Sequence, residues 1–208
     1  MKNIPKVAIL GNPNCGKTAI FNLLTGLNQK VSNYPGITVE KKAANVSLEK
    51  GTLFSLEDYP GTYSLISQSI DEKIVSDNIY TWIREPDSKP DAIIYVADVN
   101  NIRRNLYFCT QLSELDIPTI LLLNMSDILI DENKFDYIKL KEELNILNVI
   151  PFSAATHLGV NTLKNVLSDL FDNPTHVINS KMKINNNLLS NMQPLIKIVE
   201  SVFHVKDD

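Results

Sequence analysis

The order of hydrophobic and polar positions divides the chain into alternating strands and helices. A nearly continuous apolar run at 92–97 is typical of a strand buried inside a parallel sheet. In 71–84, by contrast, apolar residues recur at helical spacing and predict an amphipathic helix. This alternation predicts an α/β fold in which flanking helices cover a mostly parallel central sheet. The other predicted elements are strands at 7–10, 119–123 and 149–152, paired strands at 39–48 and 52–56, and helices at 19–24, 101–115, 134–147 and 160–171.

The chain changes character after Asn173-Pro174. Residues 181–187 are polar, and 188–205 carry apolar residues at helical spacing around Pro194. We therefore divide the chain into a main domain, 1–173, and a short helical appendage, 174–208.

Composition narrows the class of protein. A length of 208 residues suffices for one domain with a full core and a small appendage. The net charge of −4 and the lack of a dense basic run argue against a nucleic-acid binder. Cys15 and Cys109 match neither a disulfide nor a zinc spacing, which favours a reducing cytoplasm. No signal peptide or bilayer-spanning stretch is visible, so we expect a soluble chain, which could still be the cytosolic part of a membrane protein.

The first motif is GNPNCGKT at 11–18, which fits the phosphate-binding pattern G-x-x-x-x-G-K-[ST]. It lies between a predicted strand and a predicted helix, and this context disfavours the alternative of an ordinary glycine turn. Backbone N–H groups and the helix N-terminus would face the phosphates, with Lys17 between the β- and γ-phosphates and Thr18 on Mg²⁺. The residues expected to contact nucleotide here are Asn12, Pro13, Asn14, Cys15, Gly16, Lys17, Thr18 and Ala19.

Two later stretches are predicted to sense the γ-phosphate. Thr38 lies in a polar loop with Gly36 and Ile37, where its hydroxyl would ligate Mg²⁺; the alternative is an incidental threonine in a solvated loop. Asp58-Tyr59-Pro60-Gly61 matches D-x-x-G: Asp58 would hold a Mg²⁺-bound water and the Gly61 N–H would meet the phosphate. An ordinary D-x-P-G turn is the alternative. The next residue is Thr62 and not the glutamine that orients water in many GTPases.

Two further motifs predict recognition of guanine. Asn124-Met125-Ser126-Asp127 fits N-x-x-D, in which the Asp127 carboxylate accepts two hydrogen bonds that adenine cannot donate. Met125 replaces the commoner lysine, so we expect guanine selectivity with modest nucleotide affinity. Ser153-Ala154-Ala155 follows the last predicted strand and would present a backbone N–H to guanine O6.

Three of these stretches resemble one family. GNPNCGKTAIFN at 11–22, NYPGITVE at 33–40 and DYPGTYSL at 58–65 are similar to the N-terminal GTPase domain of FeoB, the bacterial ferrous-iron transporter. The resemblance covers roughly 6–171. It implies a cytosolic domain that hydrolyses GTP to GDP slowly and regulates Fe²⁺ transport at the cytoplasmic face of the inner membrane. It also implies a helical domain and a transmembrane permease further along the chain, so 174–208 would be a reduced or truncated helical domain.

The resemblance also assigns roles within the site. Asn14 corresponds to the asparagine that binds K⁺ in FeoB and related potassium-activated GTPases, although a structural hydrogen bond would explain it too. The implied cofactors are GTP or GDP, Mg²⁺ and K⁺. The implied partner is the permease of the same transporter, and no nucleic acid is expected. Small Feo accessory proteins and a homo-oligomer are possible further partners that the sequence leaves open. The implied catalytic residues are Asn14, Lys17, Thr38 and Gly61; the implied metal ligands are Thr18, Thr38 and, through water, Asp58 for Mg²⁺, and Asn14 for K⁺.

The sequence is also compatible with two other functions. A stand-alone potassium-activated GTPase of RNA modification or ribosome assembly would share the Asn14-type loop. The net charge of −4 and the shortness of the appendage 174–208 disfavour this function, because RNA-binding proteins usually carry a basic surface. A nucleotide-gated scaffold without significant turnover is the third reading.

Overall fold

Among the described residues, seven strands pair into one mixed sheet. The computed structural model describes residues 4–27, 30–34, 39–48, 51–129 and 135–172. The strands are β1 (Lys6–Gly11), β2 (Lys30–Asn33), β3 (Glu40–Ser47), β4 (Leu53–Asp58), β5 (Ala92–Asp98), β6 (Thr119–Asn124) and β7 (Asn148–Pro151). Their order in the sheet is β2-β3-β4-β1-β5-β6-β7, with β3 antiparallel to both neighbours and every pair from β4 to β7 parallel.

Helices cover both faces of this sheet. They are α1 (Lys17–Thr25), α2 (Ile70–Arg84), α3 (Ile102–Ser113), α4 (Tyr137–Glu143) and α5 (Val160–Asp172). Side chains alternate along a strand, so Ile93 and Tyr95 of β5 pack with α2, α3 and α4, whereas Ile94 and Val96 pack with α1 and α5. Because both faces are covered, residues 92–97 are all fully buried, which explains the apolar run in the sequence.

The predicted fold class is confirmed, with three differences in the elements. Strand β2 was missed, because all four of its residues are exposed at the sheet edge and carry no hydrophobic alternation. Helix α4 ends at Glu143, before the predicted 147, because Asn145 adopts a left-handed φ of 51°. Ile83 of α2 is exposed, although its spacing matched the buried residues of the helix.

The topology brings the predicted motifs to one edge of the sheet. Strands β1, β4, β5, β6 and β7 run parallel, so their carboxyl ends meet at the same edge. The phosphate-binding loop follows β1, the D-x-x-G segment ends β4, the N-x-x-D box follows β6 and Ser153-Ala154-Ala155 follows β7. Open α/β sheets bind ligands in the crevice at this edge.

Candidate functional site: a nucleotide-binding edge

The phosphate-binding loop has the backbone that its glycines predict. Gly16 adopts a φ of 95°, and a Cβ at this position would collide with Nδ2 of Asn124. Helix α1 begins at the next residue, Lys17, and ends at Thr25; Gly26 follows it as the C-cap in the left-handed conformation. The exposed Thr18 and Ala19 lie in its first turn, where helical N–H groups have no intrahelical partner and suit an anion.

The side chain of Lys17 folds back against the backbone of this loop. It is 8% exposed, and its ammonium donates to the backbone oxygen of Asn12 at 3.3 Å. The same oxygen accepts the Cys15 N–H at 3.5 Å. Burial raises the pKa of the Cys15 thiol, against the opposing effect of the Lys17 charge, so this cysteine is a neutral, enclosed side chain.

The D-x-x-G segment runs beside the phosphate-binding loop. The Thr62 N–H donates to Gly11 O at 3.2 Å, and a Cβ at Gly61 would stand 2.8 Å from Pro13 Cα and 3.1 Å from Lys17 Nζ. Only glycine fits this close approach. Thr62 is fully buried and its hydroxyl donates to Ser64 O at 2.9 Å, so this side chain is turned away from the loop.

Asp58 is a half-buried carboxylate at the end of β4. Its Oδ1 is enclosed and has no hydrogen-bond partner among the described residues. Desolvation raises the pKa of Asp58, and the charges of Lys17 and Lys42 only partly offset this effect. An enclosed, unpaired oxygen next to a cationic loop fits a carboxylate that binds hydrated Mg²⁺.

Replacing Asp58 by asparagine is therefore expected to raise the melting temperature of the nucleotide-free protein at pH 7. The pKa of Asp58 is higher in the folded chain than in the unfolded chain, so its ionisation opposes folding. The gain should shrink as the pH falls through the raised pKa, because the wild-type carboxyl then becomes protonated. Thermal melts in EDTA from pH 7 to pH 4 measure it, with the exposed Asp87→Asn as control. A lower melting temperature for Asp58→Asn would reveal a stabilising partner and contradict this account.

Asn124 joins three of the motifs. Its Nδ2 donates to Cys15 O at 2.9 Å, and its Oδ1 accepts the Ala154 N–H at 3.2 Å. The side chain is 3% exposed, so both ends of the amide are used inside the protein. These two hydrogen bonds, the Asn124 clamp, fix the phosphate-binding loop, the N-x-x-D box and the loop after β7 relative to one another.

The rest of the N-x-x-D box opens toward solvent. Met125 adopts a left-handed φ of 66°, and the Ser126 N–H donates to Phe152 O at 3.0 Å, which attaches the box to the residue that follows β7. Asp127 is exposed, so its carboxylate is accessible from solvent. Of the other predicted site residues, Asn12 and Ser153 are buried, Pro13 and Ala154 are half-buried, and Asn14 and Ala155 are exposed.

Three predicted site residues, Gly36, Ile37 and Thr38, lie outside the described residues, as does the predicted appendage 174–208. The flanks of the predicted loop with Thr38 are described. The Tyr34 N–H donates to Val39 O at 3.0 Å and joins the two ends of the loop.

The sequence reading missed the side chains that hold the segment after Gly61. The Glu72 carboxylate accepts the Gln68 N–H at 2.7 Å and the Tyr63 N–H at 3.4 Å. From α3, the Arg104 guanidinium lies 3.7 Å from the centre of the Tyr63 ring. Ser69 caps α2 by accepting the Glu72 N–H at 3.2 Å, and its S-x-x-E spacing was a readable signal.

A comparison with protein families decides which GTPase-like fold this is. The family described as Ferrous iron transport protein B (FeoB_N) matches residues 5–167. The chain belongs to this family. The Fe(2+) transporter FeoB of Leptospira biflexa is 39% identical over 163 residues, which are 78% of this chain and 23% of that protein. The chain thus spans about a quarter of the length of this relative.

Solved FeoB structures have the same fold. A mutant NFeoB of S. thermophilus bound to mGDP is 37% identical, with a TM-score of 0.70, and the match covers 80% of this chain and 61% of that one. The G domain of T. maritima FeoB is 39% identical with a TM-score of 0.68, and 98% of that chain is covered. The described residues therefore form a FeoB-type P-loop GTPase fold. Among their helices, none combines the length and the hydropathy required to cross a bilayer.

Proposed function

We propose that this chain binds guanine nucleotides at the sheet edge and hydrolyses GTP as the regulatory domain of a ferrous-iron membrane transporter. The observation that carries the proposal is the Asn124 clamp, which joins the phosphate-binding loop to both guanine motifs. Separate loops with incidental motifs would have no reason to share one buried amide. The FeoB neighbours bound to mGDP or GDP support the same ligand class.

The chain's own residues suggest how hydrolysis proceeds. Lys17 and the first-turn N–H groups of α1 would neutralise the phosphate charge, which grows as water attacks the γ-phosphorus. Gly61, in contact range of Pro13 and Lys17, would bring its N–H to the γ-phosphate. Bound Mg²⁺ would supply further positive charge, held by Thr18, Thr38 and a water on Asp58. Thr62 is buried with its hydroxyl engaged, so it provides no group that orients the water.

Asn14 is the candidate K⁺ ligand, and its backbone offers a competing explanation. It adopts a left-handed φ of 63°, which asparagine tolerates better than most residues. Two variants separate these roles: Asn14→Gly removes the amide and keeps the conformation, whereas Asn14→Ala disturbs both.

GTP turnover in KCl is expected to exceed GTP turnover in NaCl at equal ionic strength by about 10-fold or more, because a bound K⁺ would add one positive charge beside the transition state. Asn14→Gly should lose this stimulation while its GDP affinity stays close to the wild type. Phosphate release and calorimetric GDP titration measure the two quantities. If the glycine variant remains K⁺-stimulated, Asn14 is in the loop for its conformation and the K⁺ assignment is wrong.

Equilibrium binding tests the proposed ligand. Calorimetric titration of the chain with GDP, GTP and ATP in Mg²⁺ buffer should give binding of both guanine nucleotides and none of ATP at the same concentration. Equal affinity for ATP and GTP would remove guanine recognition from the proposal.

The relatives extend the proposal beyond this chain. Because the match to this chain covers only 23% of the Leptospira biflexa relative, we propose that the GTPase domain acts on a permease in the same polypeptide, at the cytoplasmic face of the membrane. We keep 174–208 as a proposed helical appendage that lies between these two parts.

A further inference from the structure

A buried hydroxyl lies below the phosphate-binding loop. Tyr95 of β5 is fully buried, and its hydroxyl oxygen lies 2.8 Å from Asn12 Oδ1 and 2.5 Å from Asn105 O on α3. Its ring packs edge-on against Phe108, with 5.9 Å between centroids. Asn12 is itself only 1% exposed. The hydroxyl thus connects the phosphate-binding loop to α3.

The hydroxyl has one proton for these two contacts. Burial raises the pKa of Tyr95, so the phenol keeps that proton. The Asn105 carbonyl can only accept, and it is the nearer oxygen, so the proton belongs there. Asn12 then bonds to the phenol oxygen as a donor, after a half-turn of its amide. In either orientation one enclosed amide atom of Asn12 has no partner among the described residues, so Tyr95 is the contact that holds this side chain.

Because Tyr95 holds the Asn12 side chain, it also restrains the backbone oxygen of Asn12, which Lys17 contacts. This oxygen accepts the Lys17 ammonium at 3.3 Å and the Cys15 N–H at 3.5 Å. We propose that Tyr95 is a positioning residue for the phosphate-binding loop, which fixes Asn12 so that Lys17 is in place before nucleotide arrives. This inference rests on the proposed nucleotide site and adds a residue that no motif contains.

A pre-positioned loop affects ground-state binding more than chemistry. Without the hydroxyl, the loop would have to be ordered when nucleotide binds, and that cost lowers affinity. The β-phosphate is common to GDP and GTP, so both should lose the same factor. A loss shared by ground state and transition state raises KM and leaves kcat unchanged.

Tyr95→Phe is expected to weaken GDP binding and raise the KM for GTP by about 10-fold, with kcat within about 2-fold of wild type. The matched control is Thr119→Val, because the Thr119 hydroxyl is also fully buried and donates to a backbone oxygen, Ile117 O at 2.9 Å, at the opposite end of the sheet. This control should lose stability without losing GDP affinity. A merely structural role for Tyr95 would reduce the active fraction, and so kcat, at unchanged KM.

A double-mutant cycle tests the route through Asn12. Asn12→Ala leaves Tyr95 and its bond to Asn105 intact and should also weaken GDP binding by about 10-fold. Adding Tyr95→Phe to Asn12→Ala should then have no further effect on GDP affinity. Additive losses, or unchanged affinity in either single variant, would overturn the role of Tyr95 while wild-type binding of GDP continued to support the proposed function. Absence of GDP binding by the wild type would instead overturn the nucleotide site itself.

Discussion

Replacing Lys17 by alanine is expected to weaken the binding of both GTP and GDP by about 100-fold, because a hydrogen bond from a charged group contributes 1.5–3 kcal/mol. The ammonium donates to the Asn12 carbonyl and lies close to Gly61, and the Lys17 side chain is nearly enclosed. No other lysine or arginine is part of the phosphate-binding loop, so no neighbour in that motif can replace its charge. Calorimetric titration with GDP and GTP measures the change.

The control for this variant is Lys30→Ala, an exposed lysine on the edge strand β2. It removes the same charge from the protein and should leave both affinities unchanged. If Lys17→Ala retained its affinity for GDP, the loop would not be a phosphate-binding loop, whatever its sequence.

Replacing Asp127 by asparagine should exchange guanine for xanthine as the preferred base. The aspartate accepts hydrogen bonds from guanine N1–H and from the exocyclic amine. Asparagine can accept only one of these, and its NH₂ group then faces the amine as a second donor. Xanthine carries an oxygen at that position, so the same NH₂ group would donate to it. We expect GTP affinity to fall by about 100-fold or more while XTP affinity rises, since an unpaired polar contact in such a site is strongly rejected.

Competition of GTP, XTP and ATP against a labelled GDP measures this exchange. Asp136→Asn is the matched control: Asp136 caps α4 by accepting the Lys139 N–H at 2.9 Å, and asparagine caps helices about as well. Unchanged preference for GTP in Asp127→Asn would mean that the exposed carboxylate does not meet the base.

Local patterns predicted most of the fold and could not predict its edges. The run at 92–97 predicted a buried central strand because both of its faces are covered. Strand β2 has neither face buried, so hydrophobicity gave no sign of it. The end of α4 depends on the left-handed Asn145, for which the apolar spacing holds no information.

The candidate site also has features that local sequence patterns predict and features that they do not. Contiguous motifs predicted which loops meet at the carboxyl edge of the sheet, because backbone geometry within a loop restricts residue type locally. The contacts that hold these loops join distant positions: Asn124 and Cys15 are 109 residues apart, and Tyr95 and Asn12 are 83 apart. A single sequence contains no local pattern for such pairs. Asn124 was predicted to bind nucleotide, and the structure gives its amide two internal partners.

Phosphate release from GTP by the purified chain, in Mg²⁺ and K⁺, tests whether this chain is a GTPase. Lys17→Ala serves as the control for contaminating phosphatases, and a parallel reaction with ATP measures nucleotide specificity. We expect slow, GTP-specific hydrolysis that disappears in Lys17→Ala. Release that is equal in wild type and variant, or equal for ATP and GTP, would contradict this expectation.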